Sequence, residues 1–143
     1  MNKKIVAIPI VVIIPILVVI FSLDPSEKNS NVIFHVTLAD PDLYTNGIYT
    51  DTFTINKGDY SFRFVPNGSS PKILSITLNG DNLDFFEDFK LESISRQTGA
   101  SEYFTWKYNG QKIILISEMQ EISIIINPNG NVMGSVSVDI LEN

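Results

Sequence analysis

The stretch GDYSFRFVPNGSSPKILSITLNG, residues 58–80, reads as two β-strands joined by a turn. Within YSFRFV (60–65), Tyr60, Phe62 and Phe64 fall on one side and Ser61 and Arg63 on the other. Successive side chains of an extended chain point to opposite faces, so this period of two marks a strand with one face buried. Pro66-Asn67-Gly68 follows. Proline presets the first turn position and glycine accepts the unusual angle behind it. KILSITL (72–78) then resumes the alternation.

The pattern spreads outward from there. VIFHVTL (32–38), YTDTFTI (49–55), EYFTWKY (102–108), KIILIS (112–117), EISIIIN (121–127) and GSVSVDIL (134–141) are short and rich in β-branched and aromatic residues. Tyr49, Asp51, Phe53 and Ile55 share one side of their run. NLDFFEDFKLE (82–92) reads either as a helical turn or as a strand with Phe85, Phe89 and Leu91 inward; its second half is read as strand. Asn-Gly pairs begin at Asn46, Asn67, Asn79, Asn109 and Asn129, and such pairs accept the positive φ of tight hairpins. The expectation is an all-β domain, an antiparallel β-sandwich of jelly-roll or related type with about eight strands. The hairpin IIINPNGNVMGSVSVDI (124–140) repeats the plan of 62–78. Two unrelated uses of the same turn is the simpler expectation; the other is a pair of loops, carrying Asn67 and Asn129, that form a binding rim.

Ahead of the β pattern lies IVAIPIVVIIPILVVIFSL (5–23), without a charged residue. As a helix it would be about 28 Å long, close to the hydrocarbon thickness of a bilayer. Three readings apply: an uncleaved signal anchor, a cleaved signal peptide, or a pilin-like assembly helix. The run exceeds an ordinary signal-peptide core, and no small-x-small site follows it, so the signal anchor is preferred. Pro9 and Pro15 imply a kinked span. The organisation is then a basic stub (1–4), a transmembrane segment (5–23), a polar linker (24–31) and one domain (32–143). Lys3 and Lys4 precede the span, and all 16 acidic residues follow it. The positive-inside rule puts the N-terminus in the cytoplasm and the domain outside. The acidic balance argues against binding nucleic acid or anionic lipid through a basic patch. With no cysteine, an exported domain has no disulfides and stands on its core alone.

The stretch 58–80 also resembles the GOLD (Golgi dynamics) domain of early-secretory-pathway cargo receptors. The matching positions are Gly58, Tyr60, Phe62, Phe64, Asn67, Ser70, Lys72 and Gly80, with IFHVTLADPDLY (33–44) similar to the opening strand. The resemblance implies a β-sandwich with a binding role. Arg63 stands where that family often has a cysteine, and the span here is N-terminal rather than C-terminal. Vesicle trafficking is therefore not implied.

No catalytic constellation stands out. The sole histidine, His35, lies inside the first strand and is expected to point outward or be hydrogen-bonded, not to act as a base or metal ligand. One histidine without cysteine leaves no zinc or copper set, and neither a G-x-S-x-G nor a phosphate loop occurs. No cofactor is expected. Calcium is the one metal to weigh, through Asp40, Asp42 and Asn46 in one loop and Asp81, Asp84, Glu87 and Asp88 in another. Neither matches an EF-hand, and solvated acidic loops are the expectation. Phe104, Trp106 and Tyr108 share a face expected to be core, whereas Tyr103, Tyr44 and Tyr49 are candidates for an exposed stacking surface. Asn67-Gly68-Ser69 fits an N-glycosylation acceptor. The function expected is non-catalytic binding of a protein or glycan at the cell surface; the alternative is a self-assembling or pilin-like surface subunit. The topology has a direct check: protease added to intact cells is expected to digest the domain, and full protection would overturn it.

Overall fold

The computed structural model describes residues 31–143. The stub at 1–4, the span at 5–23 and linker residues 24–30 lie outside the described residues. Among those described, no helix is long and apolar enough to cross a membrane. Residues 31–143 form one compact unit.

Nine strands build it: β1 (Val32–Leu38), β2 (Tyr49–Ile55), β3 (Gly58–Pro66), β4 (Ile73–Gly80), β5 (Leu83–Thr98), β6 (Ser101–Asn109), β7 (Ile113–Ile116), β8 (Gln120–Asn127) and β9 (Val136–Glu142). A four-stranded sheet runs β1-β9-β3-β7 and a five-stranded sheet runs β2-β8-β4-β5-β6. Every pairing is antiparallel. The chain changes sheet at each connection except β4–β5 and β5–β6. Asn31, assigned by sequence to the linker, belongs to the domain: its Nδ2 donates to the Glu142 carbonyl at 3.2 Å, and its own carbonyl accepts from Glu142 N at 2.8 Å.

The whole of 82–92 is extended, with no helical turn, and it continues to Thr98 as the longest strand. Phe85 and Leu91 are partly buried against the core and Phe89 is fully buried, so the alternation holds. Asn79-Gly80 is not a turn; these two residues end β4, and Asp81-Asn82 make the reversal.

The sheets meet through their apolar faces. Ile122, Ile124 and Ile126 of β8 and Leu74, Ile76 and Leu78 of β4 face Val136, Val138 and Ile140 of β9 and Phe34 and Leu38 of β1 in one buried cluster. Aromatic rings bridge the sheets on both sides. Phe62 and Phe64 of β3 lie 5.4 and 4.8 Å from Phe89, and Phe64 lies 5.1 Å from Tyr108. Phe34 of β1 lies 5.1 Å from Phe53 of β2. These are the separations at which ring pairs add to the energy of burial.

Phe89→Ala is expected to cost about 3–5 kcal/mol and to lower Tm by more than about 10 °C. Phe86, on the outward side of the same strand and 62% exposed, is the control: Phe86→Ala is expected to change stability by less than about 0.5 kcal/mol. Thermal denaturation checks both, and the reverse order would mean a different register.

Candidate binding site at the loop end

The antiparallel course brings the β1–β2, β3–β4 and β8–β9 connections to one end of the sandwich. The two Pro-Asn-Gly segments meet there, but as two different turns. In the β8–β9 loop, Asn129 and Gly130 both take left-handed angles, with φ of 53° and 92°. Asn46 and Gly47 do the same at 53° and 82° between the paired Thr45 and Ile48. The Asn67-Gly68 turn uses side-chain bonds instead. Asn67 Oδ1 accepts from Ser69 N at 2.8 Å and from Ser69 Oγ at 2.5 Å, while Asn67 N donates to Ser70 Oγ at 2.8 Å. Asn and Ser side chains mimic a backbone turn in this way.

The two loops are clasped to each other rather than independent. Asn67 Nδ2 donates to Ser135 Oγ at 2.8 Å, Ser70 Oγ to the Ser135 carbonyl at 2.5 Å, and Asn131 Nδ2 to the Ser69 carbonyl at 3.1 Å. Gly134 passes so close that a Cβ there would lie 2.0 Å from the Ser69 carbonyl oxygen. The acceptor atom of the Asn67-Gly68-Ser69 motif, Asn67 Nδ2, is thus a structural donor, and a glycan there would have to displace its bond to Ser135.

Beside the clasp is an open cleft of about 330 Å³ lined by Lys72, Ile73, Pro128, Asn129 and Asn131. Asn129 Nδ2 is spent on the Ile73 carbonyl at 2.9 Å and Ser75 Oγ at 3.1 Å. Asn131 is likewise committed, its Oδ1 accepting from Gly134 N at 2.9 Å. Lys72 contributes the one charged side chain of this lining. A shallow wall of proline, isoleucine and amides under one ammonium suits a polar or anionic group with an apolar flank.

An arm stands over this end. β4 pairs with β5 only as far as Lys90, whereas β5 and β6 continue together from Leu91–Tyr108 to Thr98–Ser101. At its base Tyr108 is 1% exposed and donates to the Pro71 carbonyl at 2.5 Å; burial pushes its hydroxyl pKa up. Further out, Trp106 is 36% and Phe104 56% exposed. The face expected to be core is therefore core only at Tyr108, because the arm outruns the facing sheet. Trp106 lies over Gly68, where a Cβ would meet its ring at 3.2 Å. Tyr103, the stacking candidate on the opposite face, is 48% exposed.

Tyr44 and Tyr49 stand differently from that candidate: both are partly buried against the core. The Tyr44 hydroxyl is buried without a hydrogen-bond partner, and burial raises its pKa. Burial, then the charge of Asp51 and the hydrogen bond to its Oδ2 at 3.2 Å, push Tyr49 up to about 12. Asp40 and Asp42 sit at the loop end, where Asp40 Oδ1 accepts from Asp42 N at 2.9 Å and caps the short helical turn Pro41–Leu43. Asp81 and Asp84 lie at the opposite end, in and after the β4–β5 reversal. Among the described residues, no three carboxylate or histidine side chains are grouped to hold a metal ion.

His35 faces outward, in a network that sequence spacing does not reveal. His35, Asp139 and Arg63 stand directly opposite one another on β1, β9 and β3. Asp139 is 3% exposed, bonded to His35 Nδ1 through Oδ1, and receives Arg63 Nε at 2.9 Å and Nη2 at 2.7 Å on Oδ2. Thr37 Oγ1 lies 3.2 Å from His35 Nε2 and 3.0 Å from Ser137 Oγ. The order hydroxyl, imidazole, carboxylate is that of an activated nucleophile. The group lies on the outward face of the four-stranded sheet, beside its open β1 edge.

The chain matches no protein-family model and no curated protein in the comparisons made.

Burial by itself pushes the Asp139 carboxyl up; the hydrogen bonds from His35 and Arg63, with their charges, outweigh it and hold the pKa below the usual carboxylate value. A lowered folded-state pKa stabilises the fold above the unfolded value, and that stabilisation is lost as pH falls through the folded one. Asp139→Asn is expected to cost about 1–2 kcal/mol at pH 7, since half-exposed His35 and Arg63 regain water as partners. The gap between the variant and the parent should shrink as pH drops below about 4. Melting curves across pH 7 to 2 check this; a gap that widens on acidification would refute it.

Proposed function

We propose that the protein is a membrane-anchored, extracytoplasmic β-sandwich of jelly-roll and GOLD-like type that binds a protein or glycan partner at the cell surface without catalysis. One observation carries the binding reading: the cleft at Lys72 and Asn129 and the aromatic arm with Trp106 stand on the same end of a rigid scaffold. Concave sites with a few polar groups and exposed aromatic anchors are where partners and sugars attach. The alternation of strands between β1-β9-β3-β7 and β2-β8-β4-β5 supports the jelly-roll kinship. The GOLD kinship rests on 58–80, which forms β3, the clasped turn and β4. The anchor and outward orientation rest on the uncharged run 5–23 and the charge split around it. The non-catalytic reading rests on the sequence, which has a single histidine, no cysteine and no G-x-S-x-G or phosphate-loop motif.

A self-assembling or pilin-like surface subunit is the competing reading. The open outer strands β2 and β6 favour it, since an unpaired edge invites another strand.

The test uses the full chain in detergent, displayed against a glycan array and a cell-surface extract. Trp106→Ala or Lys72→Ala is expected to cut retention of the bound species about tenfold, equivalent to about 1.4 kcal/mol. Asp84→Ala, at the far end, is expected to leave it unchanged. Because Trp106 is the sole tryptophan, its emission should shift on binding. Retention indifferent to both loop-end variants would sink the reading.

A further inference from the structure

We propose that two copies of this chain pair through β6, antiparallel and centred on Thr105, to give one continuous ten-stranded sheet. β6 ends the five-stranded sheet and is hydrogen-bonded to β5 alone among the described strands. It spans Ser101–Asn109, with no proline and no break in its register with β5. An open edge of this length is usually blunted by a bulge, a proline or several charges. Here the strand carries one glutamate and one lysine, Glu102 and Lys107, and is neutral within an acidic chain. Two copies therefore meet at this edge without like charges opposed.

The symmetry selects the register. A two-fold axis perpendicular to the sheet keeps the inner faces of both copies on one side, so paired positions must share a face. Centring on Thr105 pairs all nine residues of the strand, Ser101 with Asn109 at its ends. Trp106 then opposes Phe104 of the second copy, and Phe104 opposes its Trp106, on the inner face; Lys107 opposes Tyr103 on the outer face. Direct cross-strand aromatic pairs and an ammonium over a tyrosine ring are favourable contacts, and they cover the side chains the arm leaves exposed. At the other edge of the sheet, the apolar side chains of β2, Tyr49, Phe53 and Ile55, are already packed on the core, so pairing there covers little apolar surface. The β6 contact is closed and yields a pair rather than a fibre. It uses none of the five cleft residues but covers Trp106, so it goes beyond the binding reading and leaves that reading to the cleft; cross-linking at position 105 reports the pairing, and Lys72→Ala reports the cleft.

The parent chain has no cysteine, so cross-linking is clean. In the full-length protein in its membrane, Thr105→Cys meets its own copy with Cα atoms about 4.5–5.5 Å apart, within disulfide range. Mild oxidation is expected to convert it to a covalent dimer on a non-reducing gel. Ser101→Cys lies about 27 Å from its own copy and is expected to stay monomeric, yet to cross-link when co-expressed with Asn109→Cys. Adding Phe104→Asp to Thr105→Cys is expected to abolish the dimer. Thr105→Cys failing to cross-link, or Ser101→Cys alone doing so equally well, would overturn the proposal; the co-expressed pair guards against a local effect at position 105.

Discussion

Everything in this domain depends on the contact between two sheets that no disulfide ties together. Phe62 and Phe64 from β3 enter a ring cluster with Phe85, Phe89 and Tyr108 from the opposite sheet, and three isoleucines of β8 fill the centre. Without cysteine, the sandwich is held by burial and by the hydrogen-bond ladders that burial makes obligatory. Rings of this size fix the sheet separation, and that separation sets which loops can reach each other at the ends.

The loop end follows from this. β3 and β9 are neighbours in one sheet, and β4 and β8 are neighbours in the other, so the β3–β4 and β8–β9 connections must cross the same gap side by side. Their polar residues then bond one another: Asn67 with Ser135, Ser70 with Ser135, Asn131 with Ser69. The clasp makes this end rigid, and a rigid rim beside a cleft can bind without a large ordering cost. The outer face of the four-stranded sheet is organised by a different rule. Asp139 is buried under its own partners, Arg63 and His35, which stay half in water.

Much of the fold was legible from alternation. The bounds 32–38 and 49–55 agree with β1 and β2, because both strands are terminated by residues that cannot continue a half-buried pattern. Reading failed where local chemistry was ambiguous. Asn79-Gly80 looks like a turn, yet close packing of Gln120 against Gly80 keeps it extended, and Asp81-Asn82 turn instead. In EYFTWKY the alternation holds, but burial holds only at Tyr108 and not at Phe104 or Trp106, since alternation shows which side chains share a face and not how far the facing sheet extends. The cleft residues Lys72, Pro128 and Asn131 carry no signal of their own. Arg63 and Asp139 each break an apolar run on the outward side, which is a signal, but only the register shows that they meet.

By itself the sequence determined the secondary-structure class, the alternating faces of β3 and β5, and the uncharged run at 5–23. Period and composition are local properties, and they survive in a single string of residues. The tertiary structure decided that β5 and β6 run on as an arm, that the two Pro-Asn-Gly loops are clasped, and that Asp139 lies between His35 and Arg63. The clasp and the Asp139 network join residues 62 to 104 positions apart in the chain, such as the 76 between Arg63 and Asp139, and the arm is defined by where β4 and the facing sheet stop. Such contacts are set by strand order and register, which are properties of the packed sheets and not of any one segment.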